Sequence, residues 1–92
     1  MRPEPAGDAD IRMVRALRAG DTGALTPLVE SHHAAMVRAA RRFLCSEDLA
    51  EDVAQETWLA VIDGIEAFEG RAPLRSWIFT ILVNRARTRA RP

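Results

Sequence analysis

Polar and basic side chains recur at helical spacing in the last part of the chain. Ser76, Thr80, Asn84, Arg87 and Arg91 are three or four residues apart, so at about 100° per residue they share one face of a helix. Hydroxyl and guanidinium groups bind phosphate oxygens, and an amide side chain can hydrogen-bond the edge of a base. These residue types in this pattern are suited to contact with a nucleic-acid strand.

Trp77 lies at the boundary between this polar face and the apolar side of the same predicted helix. An aromatic ring in that position can stack on an unpaired base or wedge beside it. Each of these residues also has an ordinary structural interpretation: Trp77 as core, Asn84 as a solvated helix residue, and the terminal arginines as complements to the helix dipole. The spacing alone leaves both interpretations open.

The preceding helix is predicted to carry a second polar face, which is acidic. At helical spacing this face combines Asp48, Asp52, Gln55, Glu56, Leu59 and Ile62. Apolar contact combined with charge complementarity is typical of a docking surface for a basic partner. A solvated acidic helix with scattered apolar residues is the alternative that the pattern leaves open.

Residues that could support catalysis or bind a metal do not form a recognisable group in the sequence. His32 and His33 are neighbours, hence about 100° apart on a helix, and no acid or histidine at helical spacing completes a ligand set. Cys45 is the single cysteine. Because no phosphate-binding glycine loop, nucleophile elbow or metalloprotease motif occurs either, we expect no enzyme activity, metal or cofactor.

Charge is distributed unevenly along a chain whose net charge is zero at pH 7. Residues 1–44 carry seven Arg and five acids, residues 45–70 carry eight acids and no base, and residues 71–92 carry six Arg and no acid. Two oppositely charged surfaces on one small domain suggest two partners. No apolar run is long enough to span a membrane and the first residues lack a signal-peptide core, so a soluble cytoplasmic protein is expected.

The chain is predicted to form one all-α domain, a compact bundle of about four helices. Its 92 residues are 48% apolar, with five Gly and five Pro, which favours a packed chain. Residues 1–7 are expected to form a flexible leader and residues 8–92 the helical domain. Helix one is predicted to run to Arg18 from an N-cap at Asp8 or Asp10.

The start of helix two has two candidates. Asp21 and Thr22 can open it, but Pro27 would then lie inside the helix. Alternatively, Thr26 is the N-cap and Pro27 occupies the first helical position. In either case the helix is predicted to run to about Leu44.

Helix three is predicted to begin after an N-cap at Ser46 and to continue to about Phe68, with Gly64 as a weak point. Residues 69–72 form a loop, and Pro73 suits the first position of helix four. The side chains predicted to face the core are Leu28, Val29, His32, Met36, Ala39, Ala40 and Phe43 in helix two, Ala50, Val53, Ala54, Thr57, Trp58, Val61 and Ile65 in helix three, and Leu74, Trp77, Ile78, Ile81 and Leu82 in helix four.

Three segments, taken together and in order, carry a family resemblance: RALRAGDTGALTPLVESHHAAMVRAARRFL, SEDLAEDVAQETWLAVIDGIEAFEG and RAPLRSWIFTILVNRARTRAR. Their most specific pieces are DVAQETW from Asp52 to Trp58, the F-x-G loop that begins at Phe68, and the SWIF run from Ser76. The chain resembles region 2 of extracytoplasmic-function sigma factors, in the sigma-70 family, over nearly its whole length after the leader.

By this resemblance the acidic helix docks on the clamp-helix coiled coil of the RNA polymerase core. The residues implied in docking are Asp48, Leu49, Asp52, Gln55, Glu56 and Leu59. The loop and the start of the last helix are implied to melt the minus-ten promoter element by capturing flipped bases of its non-template strand. The residues that the resemblance implies for this site are Phe68, Arg71, Ala72, Arg75, Trp77 and Asn84. The full set predicted to bind DNA also includes Leu74 and, from the polar face of the last helix, Ser76, Thr80 and Arg87.

The resemblance also implies what lies beyond this domain. Complete members carry a second domain that reads the minus-thirty-five element, and the chain ends where a linker to it would begin, so we expect a truncated protein. An anti-sigma factor is a further partner that the resemblance implies. The alternative function is a helical interaction domain that binds only protein and no DNA.

Overall fold

The structure is a computed structural model that describes residues 4–92. Four helices follow one another along the chain: α1 (Asp8–Arg18), α2 (Thr26–Ala40), α3 (Glu47–Gly64) and α4 (Leu74–Ala90). Short 3-10 turns at Thr22–Leu25 and Ile65–Ala67 precede α2 and follow α3. The described residues contain no strand, so the predicted all-α bundle is confirmed. None of their helices combines the length and apolar character needed to cross a membrane.

The core lies where α2, α3 and α4 pack against one another, while α1 packs mainly on the two 3-10 turns. All seven residues predicted for the inner side of α3 are buried, and Leu74, Ile78 and Leu82 of α4 are fully buried. Burying each such aliphatic side chain contributes about 1.5–3 kcal/mol relative to leaving it exposed. Trp77 and Ile81 are half-buried at the edge of this core.

Both candidate starts of helix two are used, in succession. The 3-10 turn Thr22–Leu25 comes first, and α2 then begins at Thr26 with Pro27 in its first turn. Proline is tolerated there because the first amide groups of a helix have no partner inside the helix. Thr26 is a helical residue and Leu25 is the N-cap, so the predicted capping role of Thr26 is wrong.

The end of α2 is earlier than predicted. The helix ends at Ala40, and the chain then tightens into a turn in which Phe43 N–H donates to the Ala40 carbonyl at 3.0 Å. The prediction of an end near Leu44 is wrong because the chain must reach Ser46, which is extended and caps α3. Its hydroxyl accepts a hydrogen bond from Leu49 N–H at 3.2 Å, as predicted.

The end of α3 falls at the predicted weak point, Gly64, and not at Phe68. Glycine is unfavourable in a helix interior by roughly 0.5–1 kcal/mol relative to alanine. The chain continues as a 3-10 turn whose carbonyl groups bind a side chain from α1. The guanidinium of Arg18 donates to the carbonyl oxygens of Ile65 at 3.3 Å and of Phe68 at 2.8 Å.

The start of α1 also differs from the prediction. Its N-cap is Gly7, which makes no side-chain capping bond, and Asp8 is the first helical residue. The Asp10 carboxylate accepts a hydrogen bond from Leu74 N–H at 2.9 Å and therefore caps α4. Pro73 lies just before α4 as its N-cap, so its predicted place as the first helical residue is wrong by one position.

A hydrogen-bond bridge joins α2 to α3. Trp58 Nε1–H donates to His33 Nδ1 at 3.0 Å, and His33 Nε2–H donates to the carboxylate of Glu51. An indole N–H that is buried usually finds an acceptor, and His33 supplies it. His33 is thus a structural residue that orients Trp58 between the two helices.

Candidate nucleic-acid and protein interfaces

The loop between α3 and α4, residues 68–73, is anchored by groups from the start of the chain. We call it the capture loop. Ala6 N–H donates to the Gly70 carbonyl at 3.0 Å, beside the bond that Asp10 makes to the first amide of α4. Gly70 has a φ of 75°, a backbone conformation that costs other L-residues roughly 1–2 kcal/mol. Gly70 therefore permits the bend, and α1 with its preceding residues fixes it.

An aromatic pair forms one wall beside this loop. The rings of Phe68 and Trp77 meet edge to face, with centroids 5.3 Å apart and planes at 63°. Phe68 is buried and Trp77 is half-buried. The pair borders an open cavity of about 260 Å³, the loop cavity, whose lining residues are Ala67, Phe68, Glu69, Gly70, Arg71, Ala72, Ser76, Trp77 and Thr80.

The polar face predicted for the last helix is exposed on α4. Ser76, Thr80, Asn84 and Arg87 are all exposed. A shallow groove of about 300 Å³, the central groove, runs along this face and is lined by Ser76, Phe79, Thr80, Val83 and Asn84. Because Ser76 and Thr80 line both the central groove and the loop cavity, the two form one continuous surface.

The remaining predicted DNA-binding residues occupy different environments. Leu74 is 0% exposed, because it opens the apolar stripe of α4. Its predicted contact with DNA is therefore corrected to a structural role in the core. Arg71 is exposed and pairs with Glu69 at 3.0 Å, while Ala72 is half-buried. Arg75 places its guanidinium 4.4 Å from the centre of the Phe79 ring.

The acidic face of α3 is presented mainly by exposed residues. Asp48, Asp52 and Gln55 are exposed. Leu59 is 63% exposed, more than any other large apolar side chain of residues 4–92. Leu49 and Ile62 are half-buried and pack against the core, so this face offers fewer apolar contacts than its sequence indicates. Leu59 is its apolar centre.

Two arginines of α4 reach across to this acidic face. Arg89 pairs with Glu56 at 3.1 Å and with Asp52 at 3.7 Å, and Arg85 approaches Glu56 at 4.0 Å. The charge distribution along the sequence predicts separate basic and acidic surfaces. In the structure, Arg85 and Arg89 of the basic segment lie against the acidic face of α3. Exposed pairs of this kind stabilise a fold by about 0–1 kcal/mol each.

Sequence reasoning missed the residues that hold the capture loop. Along the chain, Arg18 lies 50 residues from Phe68 and Asp10 lies 64 residues from Leu74, and no spacing pattern signals a contact at such a separation. Asp10 carried a partial signal as a helix-capping residue, although it caps α4 and not its own helix.

The family of the chain follows from its match to a family model. The model for sigma-70 region 2 matches residues 28–91. The chain belongs to the sigma-70 region 2 family. This confirms the resemblance to region 2 of extracytoplasmic-function sigma factors. The match begins within α2, so Arg18, Asp10 and Ala6 lie outside the matched residues.

Two curated proteins are similar to this region 2 domain. RNA polymerase sigma factor CnrH of Cupriavidus metallidurans is 34% identical over 87 residues, which are 95% of this chain and 44% of that protein. RNA polymerase sigma factor NccH of Alcaligenes xylosoxydans xylosoxydans is 32% identical over 78 residues, 85% of this chain and 42% of that protein. The chain thus spans less than half the length of these relatives. No solved structure matches it significantly.

Proposed function

We propose that this region 2 domain docks on the RNA polymerase core through α3 and captures a flipped base of the minus-ten element in the loop cavity. One observation carries the DNA half of the proposal: the loop cavity, with an aromatic wall, opens directly onto the exposed hydroxyl and amide side chains of α4. A base held in the cavity would stay connected to a strand lying along the central groove.

Capture of this kind needs no covalent chemistry. Extruding a base from a duplex costs a few kcal/mol, and stacking on an aromatic side chain returns about 1–3 kcal/mol per base. Trp77 is half-buried and is held by Phe68, so its ring is already oriented before a strand arrives. Promoter melting would then be differential binding, in which the open strand is held more tightly than the duplex.

Docking on the polymerase is assigned to the exposed face of α3. Gln55 supplies an amide, Leu59 an exposed apolar side chain, and Asp48 and Asp52 negative charge for a basic clamp helix. An anti-sigma factor would inhibit the domain by covering the exposed face of α3 or the polar face of α4, and we include such a regulator among the partners. A domain with these partners acts in the cytoplasm, where RNA polymerase transcribes DNA.

The DNA half is tested by fluorescence anisotropy with a labelled non-template minus-ten strand and the 92-residue chain. Asn84→Ala removes a possible base-edge contact and should weaken binding by roughly fivefold to a hundredfold, about 1–3 kcal/mol. Trp77→Ala should weaken it by a similar factor, with thermal melting measured to confirm the fold.

Gln55→Ala is the matched control, since it also deletes an exposed amide but on α3, and it should leave DNA affinity unchanged. If the wild-type chain binds the minus-ten strand no better than a scrambled strand at low salt, the DNA half of the proposal is wrong. A domain that then still binds polymerase would be a protein-only interaction module.

The polymerase half is tested by binding to a peptide pair that forms the clamp-helix coiled coil. Leu59→Ser should reduce affinity by at least roughly tenfold, because burying a leucine side chain contributes about 1.5–3 kcal/mol. Asn84→Ala serves here as the reciprocal control and should have no effect. Unchanged affinity of Leu59→Ser would refute docking through this face.

A further inference from the structure

A second groove, next to the central groove of α4, is lined by arginines from two parts of the chain. We call it the arginine groove. It has a volume of about 390 Å³ and its lining residues are Ala35, Arg38, Ala39 and Arg42 of the α2 segment with Arg75 and Phe79 of α4. Arg38, Arg42 and Arg75 are exposed. The half-buried ring of Phe79 lies beneath the Arg75 guanidinium.

These arginines converge without an opposing negative charge. Within the described part of the chain, Arg38, Arg42 and Arg75 have no carboxylate oxygen within 4.0 Å. Like charges placed together destabilise a helix pair unless an anion joins them. Arg85 and Arg89, on the same α4, do have acidic partners. The arginines of the groove therefore differ from Arg85 and Arg89, whose charges are paired with carboxylates of α3.

The arginine groove is continuous with the surface assigned to the captured strand. Phe79 lines both the arginine groove and the central groove, and the central groove shares Ser76 and Thr80 with the loop cavity. A strand with one base in the loop cavity and its backbone along the central groove would border the arginine groove at Phe79. The occupant that fits is a single-stranded sugar-phosphate backbone.

We infer that Arg38 and Arg42, together with Arg75, bind phosphates of the same non-template strand whose base enters the loop cavity. This inference rests on the proposed function and extends the DNA-binding surface to α2. Guanidinium groups hydrogen-bond phosphate oxygens in a bidentate manner, and no contact in the groove depends on base identity. The arginine groove thus adds affinity without adding sequence preference.

The test compares the Arg38→Gln, Arg42→Gln double variant with the wild-type chain over a range of salt concentrations. Labelled minus-ten and scrambled strands of equal length are the probes. The plot of log affinity against log salt should become less steep by about 1.4, since each phosphate that is no longer neutralised lowers the slope by about 0.7. Affinity for both strands should fall by the same factor, and thermal melting should not change because both side chains are exposed.

An Arg12→Gln, Arg85→Gln variant is the matched control, since it removes two charges elsewhere and should change the slope by less than half as much. Equal slopes for the groove variant and this control would overturn the inference, even if Asn84→Ala weakens binding. A reduced slope without preference for the minus-ten strand would support the arginine groove and refute the proposed promoter recognition.

A second measurement does not depend on promoter recognition. Titration of the wild-type chain with oligothymidylate should shift the guanidinium Nε–Hε resonances of Arg38, Arg42 and Arg75 in an NMR spectrum, and leave that of Arg12 in place. Absence of these shifts at low salt would contradict the inference. Equal shifts with a duplex probe that has no open strand would also contradict it, since the groove is assigned to a single strand.

Discussion

The two flanks of α4 carry arginines in different environments. On the flank towards α3, Arg85 and Arg89 pair with carboxylates of that helix. On the flank towards α2, Arg75 lies over the ring of Phe79 and Arg87 lies 5.6 Å from the centre of the Phe43 ring. An arginine on a ring keeps all its N–H donors free for an anion, whereas a paired arginine has already engaged some of them.

The difference between the flanks changes how the charge of the sequence is understood. The last 22 residues contain six arginines and no acid, which suggests a uniformly basic helix. Folding brings Arg85 and Arg89 against the carboxylates of α3, whereas Arg75 and Arg87 lie on aromatic rings on the flank towards α2. The direction of each arginine, and not the total charge, decides which partner the helix can bind.

Among comparisons of the two flanks, the largest effect is expected from reversing one charge on each flank. Arg75→Glu removes a phosphate contact and adds repulsion, so affinity for a single-stranded minus-ten probe should fall roughly 30-fold, about 2 kcal/mol. Arg85→Glu makes the same charge change on the paired flank and should cost less than roughly threefold. Anisotropy titrations of both variants check this. Equal reductions in affinity would show that the flanks do not differ.

An intermediate effect is expected for Arg18, an arginine that binds backbone carbonyls. Arg18→Gln should lower the free energy of unfolding by about 1.5 kcal/mol, because it removes the charged hydrogen bonds to the turn after α3. In a domain of this size that lowers the melting temperature by roughly 6–12 °C. Arg15→Gln, one turn earlier and exposed, is the control. A variant as stable as this control would show that Arg18 does not fix the loop.

The smallest effect is expected on the paired flank. Arg89→Gln removes the ion pair of Asp52 and the closer of the two arginines at Glu56, so the stability of the fold should change by no more than about 0.5 kcal/mol. Affinity for the clamp-helix peptide pair should rise up to about threefold if that partner is recognised by negative charge. Chemical denaturation and peptide-binding titrations measure the two quantities. A decrease in polymerase affinity would mean that Arg89 itself contacts the partner.

The helical repeats of the sequence predict most of the fold. The inner face of α3 and the stripe of α4 follow from apolar spacing, because one face of each helix must be buried. The predicted helix ends are less accurate, because contacts outside a helix decide where it begins and ends. Ser46 was predicted because it caps its own helix, whereas Asp10 caps a helix 64 residues away, which no local pattern reveals.

The candidate site was predictable in outline and less so in its details. Exposed polar residues of α4 follow from the same periodicity that buries Leu82. The place of Arg38 of α2 and Arg42 of the turn after it in a groove shared with α4 depends on how α2 and α4 cross, which helical spacing within one segment does not reveal. The ion pair between Arg89 and Glu56 likewise depends on how α3 and α4 pack, which the sequence pattern of either helix does not reveal.

The anchoring of the capture loop has a consequence for protein engineering. Its shape depends on Ala6, Asp10 and Arg18 as well as on residues 68–73, so the loop is not a portable module. Transplanting residues 68–73 alone into another helical scaffold would transfer the side chains without the conformation. A transplant that keeps the loop conformation must also carry residues 6–18 or rebuild their hydrogen-bonding groups in the new host.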